Sequence, residues 1–124
     1  MHYEWNEDDT SFESDNATLN HVWRLCANTL RYGVLDTYTD SNTRERRPYE
    51  SDGMIAGVNR GLLQRDSIWQ RHSAAWVINF PTWPIEWQQQ TAVLVWQDWM
   101  ATGSAKLAMS FHERLLNVTA LCAL

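Results

Sequence analysis

Tyr38-Thr-Asp-Ser-Asn-Thr-Arg-Glu-Arg-Arg-Pro-Tyr-Glu-Ser-Asp-Gly53 is the stretch whose reading decides the fold. It holds four carboxylates, three arginines and two tyrosines, too much charge for a packed element. Pro48 keeps Arg47 out of helical geometry. On either side the chain reads as amphipathic helix. A dense polar loop on a helical scaffold is where chemistry is expected, because loops on rigid elements carry function more often than packing does.

Working outward, a first helix is expected to start near Ser14 to Asn16, each a good N-cap, and to stop at Gly33. Leu19, Val22, Trp23, Cys26 and Leu30 form its apolar stripe. After the loop, Ser51 or Asp52 is expected to cap a second helix with Ile55, Val58, Leu62 and Leu63 inward. Asp66 or Ser67 caps a third, with Ile68, Trp69, His72, Ala75, Trp76 and Ile78 inward. Asn79-Phe-Pro-Thr-Trp-Pro-Ile-Glu86 carries two prolines and reads as loop. A fourth helix spans about 87–102, striped by Ala92, Val95, Trp96, Trp99 and Met100. Gly103-Ser104 pairs a stop residue with a start residue, the chemistry of a tight helical hairpin. A last helix has Leu107, Phe111, Leu115 and Val118 in register. Residues 1–13, with Tyr3, Trp5 and Phe12 alternating with charge, read as an edge strand or as an extended lead-in packed on a neighbour. The expectation is an all-α array of about five helices over 14–124.

The 124 residues suffice for one core. A net charge of −5 argues against non-specific nucleic-acid binding. The acidic first residues lack the apolar segment of a signal peptide, and no apolar run approaches membrane-spanning length. The chain therefore reads as soluble, without membrane contact, and its compartment is not legible. The eight tryptophans are suited both to stacking on flat ligand faces and to filling a core. Cys26 and Cys122 form no CxxC pair and are expected to be buried free thiols.

Asp40, Glu45, Glu50 and Asp52 lie close enough in sequence to converge on one cavity. Arg44, Arg46 and Arg47 would hold some of them ionised, and crowding would raise others, as a general acid near neutral pH requires. The helix dipole at Asp52 favours its charged form. The opposing reading is a solvated loop of surface ion pairs, each worth little, and composition alone favours it. An EF-hand is excluded, because Arg44 stands at a ligand position and no glycine occupies the turn position. The histidines show no metal-ligand spacing, and no nucleophile elbow occurs. His72 on an apolar face reads as a core or cavity-edge residue. Trp83, Glu86 and Trp87 form either a stacking platform or an aromatic plug over a helix end.

Thr43-Arg-Glu-Arg-Arg-Pro-Tyr-Glu-Ser-Asp-Gly53, preceded by Tyr38-Thr-Asp40, resembles the catalytic signature of bacterial α-L-rhamnosidases, glycoside hydrolase family 78. Trp5 to Ser14, Leu19 to Trp23, Pro81 to Trp87 and Trp96 to Gly103 match that family in order and spacing, so the resemblance covers nearly the whole chain. It reverses the reading of the loop as mere solvated charge. It implies an (α/α) toroid of six helical hairpins that releases terminal α-L-rhamnose from glycosides with inversion. Glu45 is similar to the general acid, and Asp40 and Asp52 to the carboxylates that grip sugar hydroxyls. Arg44 belongs to the same substrate-binding set. Tyr49 stands where many members carry an aromatic lining the sugar subsite, and Trp83 and Trp87 resemble the next aromatic wall. No cofactor and no metal are expected; the partner is a rhamnose-containing glycoside.

The family's general base is a glutamate on a later hairpin, and no residue here matches it. The chain therefore reads as a partial six-hairpin domain, inactive alone and prone to self-association through exposed apolar helix faces. The alternative is a non-catalytic all-α carbohydrate-binding or interaction protein on the same scaffold.

Overall fold

A computed structural model describes residues 5–120. Tyr3 and Cys122 lie outside these described residues. Within them the chain is all-α, and the extended backbone makes only an isolated bridge between Val34 and Tyr38. The five expected helical regions divide into seven segments.

Helix α1 spans Ala17–Tyr32. The Asn16 side chain accepts from the N–H groups of Thr18 (2.9 Å) and Leu19 (3.3 Å), which satisfies two of the orphan donors at the helix start. Gly33 ends it, its N–H returning to the Thr29 carbonyl at 2.8 Å. The expected stripe is largely uncovered. Leu19, Val22, Leu25 and Cys26 are exposed, and Ala27 is buried instead. Cys26 is thus an exposed thiol, contrary to expectation, because nothing among the described residues packs over its side of α1.

Helix α2 spans Glu50–Leu63 and starts two or three residues earlier than expected. Tyr49, extended at φ −73° and ψ 147°, is the cap residue. The N–H of Gly53 closes the first turn on the Tyr49 carbonyl at 2.8 Å. Glu50 and Asp52 therefore lie inside the first turn, where the positive end of the helix favours carboxylates.

The inward face of α2 is also not the expected one. Ile55 and Leu62 point to solvent, while Glu50, Gly53, Gly57 and Arg60 are buried. α2 packs chiefly against α5, Gln90–Thr102. It does so through glycine: a Cβ on Gly57 would sit 2.5 Å from Leu94 Cδ2, and one on Gly61 2.9 Å from Gln97 Nε2. Missing side chains let the two backbones approach, and Gln97 donates to the Val58 carbonyl across the crossing at 2.8 Å.

Helix α3, Ile68–Asn79, buries Gln70, Ser73, Ala74, Val77 and Ile78. Ile68 and His72, expected inside, are exposed. α5 buries Thr91, Leu94, Val95 and Asp98, so Trp96, Trp99 and Met100 are exposed. The polar members explain both displacements. Asp98 is fully buried and accepts from Arg71 Nε at 2.7 Å, which turns that side of each helix inward. Arg71 also donates to the Thr102 hydroxyl at 3.0 Å.

The core joins Ala74, Val77 and Ile78 of α3 to Leu94 and Val95 of α5 and to Leu107. Leu107 lies on α6, Lys106–Ser110, which follows a left-handed Gly103 (φ 66°) in the expected tight turn. A break at Phe111 leads to α7, His112–Ala120, so the expected last helix is in two pieces. Two aromatics of the segment before α1 meet helix side chains. Phe12 stacks on Trp23 at 6.1 Å, and the Arg60 guanidinium lies 5.8 Å from the centre of the Trp5 ring. Asn6 and Gln64 exchange two hydrogen bonds of 2.9 and 2.8 Å, pinning the lead-in to the end of α2.

Candidate active site

The 40–47 segment closes on itself. Asp40 N–H donates to the Arg47 carbonyl at 3.0 Å, and Arg47 N–H donates to Asp40 Oδ1 at 2.7 Å. The turn between them requires a left-handed residue, and Arg46 takes it at φ 55°. For a non-glycine residue this costs on the order of 1–2 kcal/mol. Strain of this kind is found where the surrounding structure over-determines the backbone, often at functional sites.

The closed loop presents Glu45 outward and next to α2. Tyr49 donates its phenol proton to Glu45 Oε2 at 2.8 Å, and Arg44 Nη2 donates to Oε1 at 2.7 Å. The bond to Glu45 is the main cause holding the Tyr49 phenol above its usual pKa, followed by desolvation and the negative charges of Glu45 and Asp40. Tyr49 thus remains a donor. The Arg44 pair is exposed and contributes little to stability.

Desolvation pushes the Asp40 carboxyl up, but the Arg47 N–H, together with Ser41 beside it, outweighs this and holds the group below its ordinary value. Asp52 moves the other way. Its partial burial, then the charges of Asp40 and Glu45, raise its pKa against the stabilising backbone N–H at the helix start. Removal from water and like-charge crowding thus act against the helix dipole at Asp52.

Asp40 and Asp52 line a cavity of about 500 Å³ between the end of α1, the loop and α2, together with Thr39, Asn42 and Thr43. The volume falls in the range of small-molecule sites. Glu45, Tyr49 and the tryptophans are not in its lining.

The second loop meets the charged loop at Tyr49. Trp83 meets the edge of Tyr49 with ring centres 5.8 Å apart, and Trp87 tilts against Trp83 at 5.0 Å. The loop is shorter than expected: α3 runs to Asn79, and α4, Ile85–Gln88, starts directly after Pro84. Trp87 N–H donates to the Pro84 carbonyl at 3.0 Å, and Gln88 Nε2 to the Trp83 carbonyl at 2.8 Å, which sets both rings. One turn residue, Gln89, separates α4 from α5.

The structure thus brings Arg44, Glu45, Tyr49, Trp83 and Trp87 into one contiguous chain of contacts, with Asp40 and Asp52 within electrostatic reach of Glu45 or Tyr49. Glu50 is different from the other three carboxylates of the loop. It is fully buried, bonds to Thr82 and does not line the cavity. Its burial is not predictable from a run that reads as uniformly polar. Among the described residues no group of three or more His, Cys, Asp or Glu side chains could hold a metal ion. No helix among them is long and apolar enough to cross a membrane.

A protein named DNA ligase from Citrifermentans bemidjiense is 33% identical over 96 residues, covering 70% of this chain and 14% of that protein. The chain thus spans about one seventh of that relative's length, too little for the likeness to bear on what the whole relative does. No solved structure matches. Residues 7–118, which include both loops, match the family described as the bacterial alpha-L-rhamnosidase 6 hairpin glycosidase domain. With that match over most of its length, and with its all-helical fold, the chain belongs to the bacterial α-L-rhamnosidase six-hairpin glycosidase domain family.

Proposed function

We propose that the chain carries the proton-donating and sugar-gripping part of an inverting glycoside hydrolase site for terminal α-L-rhamnose. The observation that carries this is the continuity from Glu45 through Tyr49 to Trp83 beside a cavity walled by Asp40 and Asp52. Charged carboxylates accept hydrogen bonds from sugar hydroxyls, and aromatic faces stack on the apolar face of a pyranose ring. Glu45 delivers a proton to the glycosidic oxygen as the bond to the anomeric carbon breaks. Arg44 and Tyr49, both bonded to Glu45, orient it. Asp40 and Asp52 hold ring hydroxyls.

An inverting reaction also needs a second carboxylate ~6.5–9.5 Å from the acid, to activate water on the opposite face of the sugar. Asp40 and Asp52 are committed to the sugar in this reading, and no other residue of the chain matches the base. The chain by itself is therefore proposed to bind the sugar without turning it over.

The test is a calorimetric titration of the chain with L-rhamnose and with D-glucose, alongside incubation with an aryl α-L-rhamnoside. Binding of L-rhamnose in preference to D-glucose, with no release of the aryl group, is expected. Equal heats for both sugars would overturn the rhamnose assignment. Aryl release that disappears in Glu45→Gln would overturn the claim that the base is missing.

A further inference from the structure

Glu50 is a buried carboxylate that the proposed chemistry does not use. It is fully shielded from solvent, yet both its oxygens are engaged by one residue: Thr82 N–H donates to Oε1 and the Thr82 hydroxyl to Oε2, each at 2.6 Å. A buried carboxylate is costly unless its lone pairs are met by good donors. Short charge-assisted bonds to two donors of a single residue fix that residue's backbone and side chain together.

The neighbours of this clamp give it a use. Glu50 follows Tyr49, and Thr82 precedes Trp83. Bonding Glu50 to Thr82 therefore sets Tyr49 beside Trp83, whose rings meet edge-on at 5.8 Å. The phenol of that same Tyr49 is bonded to Glu45. The clamp thus reaches the acid through one ring and Trp87 through the other. Residues 81–84 lie outside the helices, in the loop between α3 and α4. The Trp83 ring is exposed and rests on the rings of Tyr49 and Trp87, while its backbone is held by this clamp on one side and by the bond from Gln88 to its carbonyl on the other.

We propose that Glu50 is a positioning residue, a buried clamp on Thr82 that registers the Trp83–Trp87 wall against Tyr49 and Glu45. Its effect on sugar affinity rests on the rhamnose-site reading; its effect on the aromatic wall does not. Glutamine in place of Glu50 can still accept from Thr82 N–H and donate to the Thr82 hydroxyl, which can reverse its role. Leucine, close to isosteric, can do neither.

The experiment is fluorine NMR of the chain labelled with fluorotryptophan, with Trp83 and Trp87 resonances assigned by Trp83→Phe and Trp87→Phe. Glu50→Leu is expected to shift or broaden both resonances and leave Trp96 and Trp99 unmoved, while Glu50→Gln restores the native positions. Thr82→Val, which removes one of the two bonds without placing anything in the core, is expected to move the same two resonances by less, and it decides the matter if Glu50→Leu does not fold. In parallel, L-rhamnose affinity should fall about tenfold in Thr82→Val, the scale of one displaced aromatic contact. Unmoved Trp83 and Trp87 resonances in Thr82→Val, or in a folded Glu50→Leu, would overturn the clamp. Moved resonances in a chain that shows no affinity for L-rhamnose would support the clamp and overturn the sugar reading instead.

Discussion

Replacing Gly57 by alanine tests how α2 is set, and with it the position of everything at its first turn. Two effects of opposite sign compete. In a helix interior, alanine is favoured over glycine by about 1 kcal/mol. Against this, the new methyl would stand 2.5 Å from Leu94 Cδ2 and 3.3 Å from Tyr38 Cε2. Leu94 is 0% and Tyr38 1% exposed, so neither can swing into solvent. Overpacking of this kind typically costs 1–3 kcal/mol, and a contact this short against fixed neighbours belongs at roughly the upper end. The net expectation is a loss of about 1–2 kcal/mol. Gly53 is the internal control. It lies on the same face of α2, but a Cβ there meets nothing within 4 Å, so Gly53→Ala should gain about 0.5–1 kcal/mol. Urea denaturation followed by far-UV circular dichroism gives both values. A Gly57→Ala chain as stable as the unsubstituted one, or more so, would refute the glycine-mediated crossing.

Three further outcomes follow from other parts of the molecule. Arg71→Met should cost about 3–5 kcal/mol, because it leaves Asp98 buried without its cation; adding Asp98→Asn should recover much of the loss, and a cost under about 1 kcal/mol in the same denaturation assay would contradict the pair's role. Asp52 holds its proton more tightly in the folded than in the unfolded chain, so it destabilises the fold as pH rises through the interval above the ordinary carboxylate pKa. Asp52→Asn should therefore be the more stable chain at neutral pH, with the difference vanishing in acid below that interval; a variant less stable at neutral pH would reverse the sign. We propose that the uncovered faces of α1 and α5, with Leu25, Trp96 and Met100 exposed, cause concentration-dependent self-association. Light scattering should show mass rising with concentration, and a monomer at all concentrations would count against it.

The helical character, the Asn16 cap, the Gly33 and Gly103 stops and the hairpin turn were legible in the sequence because each rests on local chemistry. The inward faces were not. Reading α2 by its large apolar residues chose Ile55 and Leu62, whereas the helix packs where side chains are absent. The glycines at 53, 57 and 61, spaced by four, were the available signal. In α5 the Asp98–Arg71 pair turned the stripe by about one position, and a polar residue at an inward position leaves no trace in an apolar count.

At the site, Asp40 and Asp52 share one cavity and Arg44, Glu45, Tyr49, Trp83 and Trp87 share one run of contacts, but Glu45 and Glu50 do not line that cavity, and the states of these groups were not all readable. Asp52 was expected to be favoured as the anion by the helix dipole, and the desolvation beside Asp40 and Glu45 that pushes its pKa up leaves no mark in the sequence. Glu50 looked like one more charge in a solvated run. Only the fold shows it buried against a threonine 32 residues later.

The central claim is that Asp40, Glu45, Tyr49, Asp52, Trp83 and Trp87 form one sugar site. The most direct test is a titration of isotope-labelled chain with L-rhamnose, followed by backbone and indole chemical shifts. The largest changes should fall on the Arg47 N–H, which donates to Asp40, on the first-turn amides of α2, and on the Trp83 and Trp87 indoles. Saturable changes confined to these groups are the predicted result. Changes centred elsewhere, such as around Trp5 and Trp23, or no changes at all, would contradict it.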